Sequence, residues 1–428
     1  MKAFEYEPIF KKTTLSNGVR VLTEHHPSSR AVSVGVFVDL GTRDEPADMV
    51  GAAHFVEHMV FKGTETRDSY EIAKSLEAVG GDLNAYTTRE QTCFHGTCLK
   101  EHLGLALDVL SDLMCNAQFD SNDFKKERDV IMQEINMAAD ENDDYIFDIA
   151  FEMAFKGHEL GRSILGTPKT LQHITRKKLF DFYNRRYHGE NLIVSVVGHV
   201  SHEEVVDALS RTLSLRRRAV PAVARRRPQL KGFQKVVSKP SEQTHILMAL
   251  PSVSIKEKAR FESYVANAAL GGGMTSRLFQ KVREQLGLAY SIYSYGQPFS
   301  DTGLQFVYAG TSKEHVQKVL GSMAREIERL QTKGLTRSEL QYYKTQVVGE
   351  VVLDADDTES RMNSLGYNEM LFGEYRSVDH TVADLERVNV DTINAFLKKH
   401  FELSRAGVIV IGDVSEDRTL TQIDKIIG

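Results

Sequence analysis

The chain is written twice. Residues Leu171 to Ser201 align without a gap on Leu385 to Ser415, at a constant offset of 214 residues. Leu171, Phe182, Val194, Val196, Gly198, Val200 and Ser201 recur as Leu385, Phe396, Val408, Val410, Gly412, Val414 and Ser415. Each copy reads as an amphipathic helix, a buried strand and a glycine turn into another helix. The offset is half of the 428 residues, far too long for a solenoid period. Two tandem homologous domains of one fold are the economical inference.

The join between them is visible. Arg216, Arg217, Arg218, Pro221, Arg225, Arg226, Arg227 and Pro228 form a basic, proline-punctuated stretch without amphipathic period. That is linker composition, and it reads as a solvated connector rather than an anion site. The expected division is a first domain at 1–212, a linker at 213–230 and a second domain at 231–428. In the first half, alternating residues predict strands at 19–23 and 31–38. Helical periods follow at about 51–62 and 68–79, then one strand at about 81–98. Helices at about 101–116, 121–140, 145–156 and 175–187 precede a strand at 191–198, and the second half opens on a strand at 245–250. Strands and helices in blocks give an α+β class, each domain a sheet with helices packed on one face.

Composition narrows the function. The formal net charge is -6, from 53 basic and 59 acidic residues, which gives no support for nucleic-acid binding. Cys93, Cys98 and Cys115 are too few and too irregular for a disulfide framework or a zinc ribbon, so they read as core thiols in a reducing compartment. No apolar run is long enough to span a bilayer. The start, Met1 to Glu7, has no apolar stretch and carries acids. A cytoplasmic protein is expected.

The chemistry concentrates at His54, Phe55, Val56, Glu57 and His58. Residues four apart share a helix face, so both imidazoles reach one ion. Ala52, Ala53, Phe55, Val56, Met59 and Val60 supply the apolar face of that helix, and Gly63 a stop. Two histidines suit Zn²⁺ but leave its coordination incomplete; a catalytic site needs a third protein ligand and an open position. Two helix-face histidines with an incidental glutamate would carry the same pattern, so context decides.

That context resembles the pitrilysin family of inverted zincins, which includes insulin-degrading enzyme and mitochondrial processing peptidase. Glu134 lies 76 residues beyond His58, inside a segment from Glu127 to Ile135 that is similar to the family's second signature. The resemblance implies that His54, His58 and Glu134 hold one Zn²⁺ per chain, that Glu57 is the general base, and that Glu127 orients a ligand histidine. Gly80 to Thr87 resembles the family's edge strand, in which Asn84 and Ala85 align a peptide substrate by main-chain hydrogen bonds. Leu278 to Ser291 resembles its Arg/Tyr segment, with Arg283 and Tyr290 as substrate-binding residues and the Tyr290 hydroxyl an oxyanion donor. At the 214-residue offset His54, Glu57, His58 and Glu134 fall opposite Ala268, Gly271, Gly272 and Val348, so the second domain is a degenerate copy. The resemblance further implies a homodimer in which Arg283 and Tyr290 act across the interface. Asp144 and Asp148, four apart, match acids that receive a basic side chain near the cut. The expected function is a zinc-dependent endopeptidase. A non-catalytic structural relative and a zinc-holding peptide binder are the competing readings.

Overall fold

The structure is a computed structural model that describes residues 8–215 and 223–427. Residues 216–222 of the expected linker therefore lie outside the described residues, with 1–7 and 428. The chain divides into two compact units, one of Met1–Asn136, Arg162–Arg225 and Val352–Asp379, the other of Met137–Gly161, Arg226–Val351 and His380–Gly428.

Unit one is built on a six-stranded sheet. Its strands are β1 (Ile9–Thr14), β2 (Arg20–His25), β3 (Ala31–Val38), β4 (Asp82–Thr87), β5 (Thr92–Leu99) and β6 (Leu192–Gly198), in the order β1-β2-β6-β3-β5-β4. Only β2 and β6 pair in parallel. The single strand expected at 81–98 is instead the β4–β5 hairpin. Its polar connection reverses the chain through the Thr88 N–H to Gln91 carbonyl bond at 2.7 Å, while the Thr88 hydroxyl accepts the Gln91 N–H at 3.1 Å. Such hydroxyl-to-backbone turns compete with strand continuation.

Alternation along β3 sends Val32, Val34, Val36 and Val38 to the main core. The helices α1 (Ala52–Val60), α2 (Ser69–Glu77) and α3 (Leu103–Asn116) form a layer on that face. The long helix α4 (Ser121–Asp140) contributes Phe124 and Ile131 to the same core. In α1, Ala52, Phe55, Val56, Met59 and Val60 are buried there. Each large side chain so buried contributes about 1.5–3 kcal/mol, so packing alone fixes which way the remaining face of α1 looks.

The opposite face of the sheet is covered by a helix from the far half of the sequence, Thr358–Phe372, called here the crossover helix. Its Met362 and Leu365 pack on Leu22, Phe37, Ile193 and Val197. The approach is close: a Cβ on Gly35 would sit 2.2 Å from Met362 Sδ, and one on Gly366 2.2 Å from the Phe37 ring. Polar groups pin the helix as well. Arg361 makes a two-pronged ion pair to Glu24, Nε to Oε1 at 2.7 Å and Nη2 to Oε2 at 2.6 Å. The Ser195 hydroxyl donates to the Met362 carbonyl at 2.9 Å.

Unit two repeats the plan. Strands β7 (Phe233–Ser238), β8 (Thr244–Ser252), β9 (Ala289–Pro298), β10 (Gly303–Thr311) and β11 (Gly407–Gly412) form a sheet in the order β7-β11-β8-β10-β9, with β7 and β11 parallel. Here the covering helix is α5 (Asn142–Ala154), from the first half of the sequence. Ile146, Ala150 and Phe151 pack on Leu247, Phe306, Ile409 and Ile411, with the Phe151 and Phe306 rings edge-to-face at 5.4 Å. Shifted by the repeat offset, α5 falls on the crossover helix. The duplicated halves thus donate equivalent helices reciprocally, so neither compact unit is continuous in sequence. The tandem α+β repeat is present as expected; the exchange is what a linear reading cannot register. Arg225, expected in a solvated connector, is bound in unit one, with Nη2 at 2.7 Å from Asp44 and 3.0 Å from Asp39. All three cysteines are free thiols. Among the described residues, no helix is long and apolar enough to cross a membrane.

Candidate metal centre

Helix α1 presents His54, Glu57 and His58 on the face its apolar residues leave free, and α4 faces them with Glu127 and Glu134. One ligand atom each of His54, His58 and Glu134 lie together within 4.8 Å. His54 Nε2 is 3.9 Å from Glu134 Oε2, and His58 Nε2 is 3.6 Å from Glu134 Oε1. Ligands about 2.0–2.2 Å from a tetrahedral ion are separated by roughly 3.3–3.6 Å, so a small contraction brings the set to zinc geometry. The side chains of His54 and His58 are 12% and 17% exposed and that of Glu134 36%, which leaves one side of the set open to a substrate.

The protonation pattern also suits a cation. His58 Nδ1 lies 3.0 Å from Glu127 Oε2, and Lys62 Nζ holds the other Glu127 oxygen at 2.9 Å. With Nδ1–H donating to Glu127, His58 Nε2 turns a lone pair toward the acceptor oxygens of Glu134. Burial, with the adjacent His58, lowers the His54 pKa to about 4, so that ring is neutral at physiological pH, as a metal ligand must be. Its buried Nδ1 has no hydrogen-bond partner among the described residues. Imidazole nitrogens and carboxylate oxygens converging on one point form a site for a divalent ion. The donor set, two imidazoles and a carboxylate, is one that Zn²⁺ takes.

Glu57 stands beside the set. Its Oε2 accepts a hydrogen bond from the Thr87 hydroxyl at the end of β4. Burial raises its pKa, Thr87 and His58 oppose that, and Glu134 adds to it. The edge strand β4, carrying Asn84 and Ala85, thus runs against the metal helix, and the Asn84 side-chain oxygen accepts the Ala85 N–H at 2.8 Å. The sequence reading missed Thr87, and also Glu45. Glu45 accepts the Gly51 N–H at 2.9 Å and the Ala53 N–H at 2.6 Å, satisfying free donors at the start of α1. Burial pushes its carboxyl up to about 8 against those two donors. Gly51 has φ 96°, and a Cβ there would sit 2.9 Å from the Gly166 backbone. An acid six residues ahead of a glycine was a thin signal for such a cap.

The remaining expected residues belong to unit two. Arg283 is exposed on the short helical turn Phe279–Gln285, stacked over the Phe279 ring at 5.0 Å. Tyr290, 72% exposed, is the second residue of the edge strand β9. Asp144 and Asp148 lie one turn apart on α5.

Glu127 is the clearest target outside the three convergent residues. Glu127→Ala removes the partner of His58 Nδ1 and is expected to weaken zinc binding about 10–100-fold, measured by competition with a chromophoric chelator.

Comparison with known proteins gives the family. Residues 20–168 match the family described as insulinase, peptidase family M16, and residues 173–347 match the M16 inactive domain. The chain is 37% identical over 417 residues to a zinc protease of Mycobacterium bovis, covering 96% of this chain and 95% of the relative. It is 34% identical over 393 residues to the zinc protease YmxG of Bacillus subtilis, covering 92% and 96%. The solved structure of a protease from Helicobacter pylori has the same fold, with TM-score 0.88 at 20% identity over 95% of this chain and 100% of that one. The matched peptidase segment contains all four of His54, Glu57, His58 and Glu134, and the segment matched as inactive contains Ala268, Gly271 and Gly272, three of the four equivalent positions. The chain belongs to the insulinase (M16) family of peptidases.

Proposed function

We propose that this chain is a zinc-dependent endopeptidase that cleaves peptides or unfolded segments. The observation that carries this reading is the convergence of His54, His58 and Glu134 on one point, with Glu57 tied to the end of an exposed edge strand. His54, His58 and Glu134 hold one Zn²⁺ per chain. A Zn²⁺ held there would supply Lewis-acid chemistry, lowering the pKa of the attacking water and polarising the scissile carbonyl. Glu57 takes the proton from that water and passes it to the leaving amine. The Thr87 hydroxyl holds the Glu57 carboxylate in place, and Glu127 fixes the His58 ring through Nδ1. A substrate adds to β4 as a further strand beside Asn84 and Ala85. Main-chain pairing of that kind accepts many sequences.

The reading extends to the second unit. We infer a homodimer in which Arg283 and Tyr290 of one protomer serve the zinc centre of its partner, Tyr290 donating its hydroxyl to the developing oxyanion. The exposure of Tyr290 supports this, because its hydroxyl is accessible to a group from another chain. Asp144 and Asp148 receive a basic side chain near the cut.

The test is cleavage of a quenched fluorescent peptide library containing arginine. The protein is run as isolated, after chelation, and after zinc is restored. Activity is expected to vanish on chelation and return with zinc, with cuts clustered near basic residues. Cleavage that survives complete metal removal sinks the reading.

A further inference from the structure

A second constellation of metal-ligand type lies on the other face of the unit-one sheet. One ligand atom each of Asp82, His95 and Glu359 fall within 4.8 Å of one another. Asp82 opens the edge strand β4, His95 is on β5, and Glu359 is in the first turn of the crossover helix. Their shared face follows from register. Asn84 pairs with His95 and Asp82 with Thr97, so Asp82 and His95 are diagonal neighbours on one side. Thr87, which holds Glu57, has the opposite parity in β4. His95 therefore points away from the zinc centre already described, toward the side on which Cys93 packs with Met362.

Three observations separate this set from an ordinary surface acid cluster. His95 is 7% exposed. Its buried Nδ1 has no hydrogen-bond partner among the described residues. Yet that atom is 3.3 Å from Glu359 Oε1, close to the roughly 3.3–3.6 Å edge of a tetrahedral zinc site. A buried imidazole nitrogen 3.3 Å from a carboxylate oxygen with no hydrogen bond between them is spaced as two ligands of one ion are spaced. Asp82 is oriented too. Its Oδ1 accepts the Thr97 N–H at 3.1 Å, which leaves Oδ2 for a cation. The two carboxylates balance the charge of a divalent ion.

We propose that Asp82, His95 and Glu359 form a second divalent-cation site, of the borderline class represented by Zn²⁺, distinct from the centre at His54, His58 and Glu134. The ion joins the start of the crossover helix to the start of β4. It therefore links the far half of the sequence to the strand beside Glu57. The site is structural: it ties a helix to a strand from opposite halves of the sequence.

The test is zinc stoichiometry on the full chain. Apo-protein is dialysed against a zinc buffer and its metal counted by mass spectrometry. Wild type is expected to hold two Zn²⁺ per chain. A His54→Ala, His58→Ala chain holds one, and its melting temperature still rises when zinc is added. His95→Gln holds one, and the three changes together hold none. Glu359→Gln, at a partly exposed position, is read beside His95→Gln, and stands in for it if the buried substitution does not fold. A wild-type chain with one zinc that disappears in His54→Ala, His58→Ala overturns the proposal. So does a stoichiometry of two left unchanged by both His95→Gln and Glu359→Gln. One zinc that persists in His54→Ala, His58→Ala and is lost in His95→Gln supports this site while overturning the proposed peptidase centre.

Discussion

Glu57→Gln is expected to lower peptide cleavage by about 10²–10⁴-fold while the protein keeps the zinc held by its unchanged ligands. The two halves of that expectation rest on different atoms. His54, His58 and Glu134 are the residues whose ligand atoms converge, and Gln leaves them untouched. Glu57 lies next to His58 and takes the Thr87 hydroxyl bond through Oε2. An amide accepts that bond as well, so the side chain keeps its place and loses only its capacity to carry a proton. The measurement pairs kcat on a fluorescent peptide with zinc content of the same sample. Loss of zinc together with activity would make Glu57 part of the coordination instead. Full activity in the zinc-loaded variant would remove Glu57 from the chemistry altogether. The same variant tests the dimer. Mixed with Tyr290→Phe chains, it is expected to regain activity, because one protomer then supplies an intact base and the other an intact hydroxyl. Mixed dimers that regain nothing would confine both residues to one protomer.

Arg361→Met is expected to destabilise unit one by about 3–5 kcal/mol. The guanidinium and the Glu24 carboxylate are 5% and 0% exposed, so removing the cation strands a buried charge between sheet and crossover helix. Burial alone would raise the Glu24 pKa, but hydrogen bonds from His26 and Arg361 and the Arg361 charge outweigh it and hold the carboxyl at about 2. Because the folded value lies below the unfolded one, this contribution is complete above pH ~4.5 and fades as pH falls toward ~2. Wild type is therefore expected to lose stability through that window. Arg361→Met is expected to start lower and fall less. Urea unfolding midpoints between pH 7 and 3 give both slopes. The pair Glu24→Leu, Arg361→Met is expected to recover part of the loss, since no charge is then left buried alone. An Arg361→Met chain as stable as wild type would show that Met362, Leu365 and their partners hold the crossover helix without the pair.

Much of this was written locally. The spacing of His54 and His58 requires only a helix, and the apolar residues at Ala52, Phe55, Val56 and Met59 both predict that helix and decide which face it buries. Glu127 and Glu134, two turns apart, are likewise a property of one continuous helix. The repeat at 214 residues and the missing metal residues in its second copy are legible because they compare the sequence with itself. Local pattern failed at 81–98, where a reversal at Thr88 to Gln91 is made by one hydroxyl and two peptide groups rather than by glycine or proline.

Sequence by itself determined the α+β repeat, the helices and the residues on each helix face, because those depend on periods of two and 3.6 within a few neighbours. Glu134 was nameable beside the two histidines through its resemblance to a known segment, but tertiary structure alone decided that Thr87 holds Glu57 and that Glu45 caps α1. It alone decided that each half lends a helix to the other's sheet, bringing Glu359 to His95 and Arg361 to Glu24. Such contacts join residues up to hundreds of positions apart. What selects them is the packing of complete faces, and no local period records which face meets which.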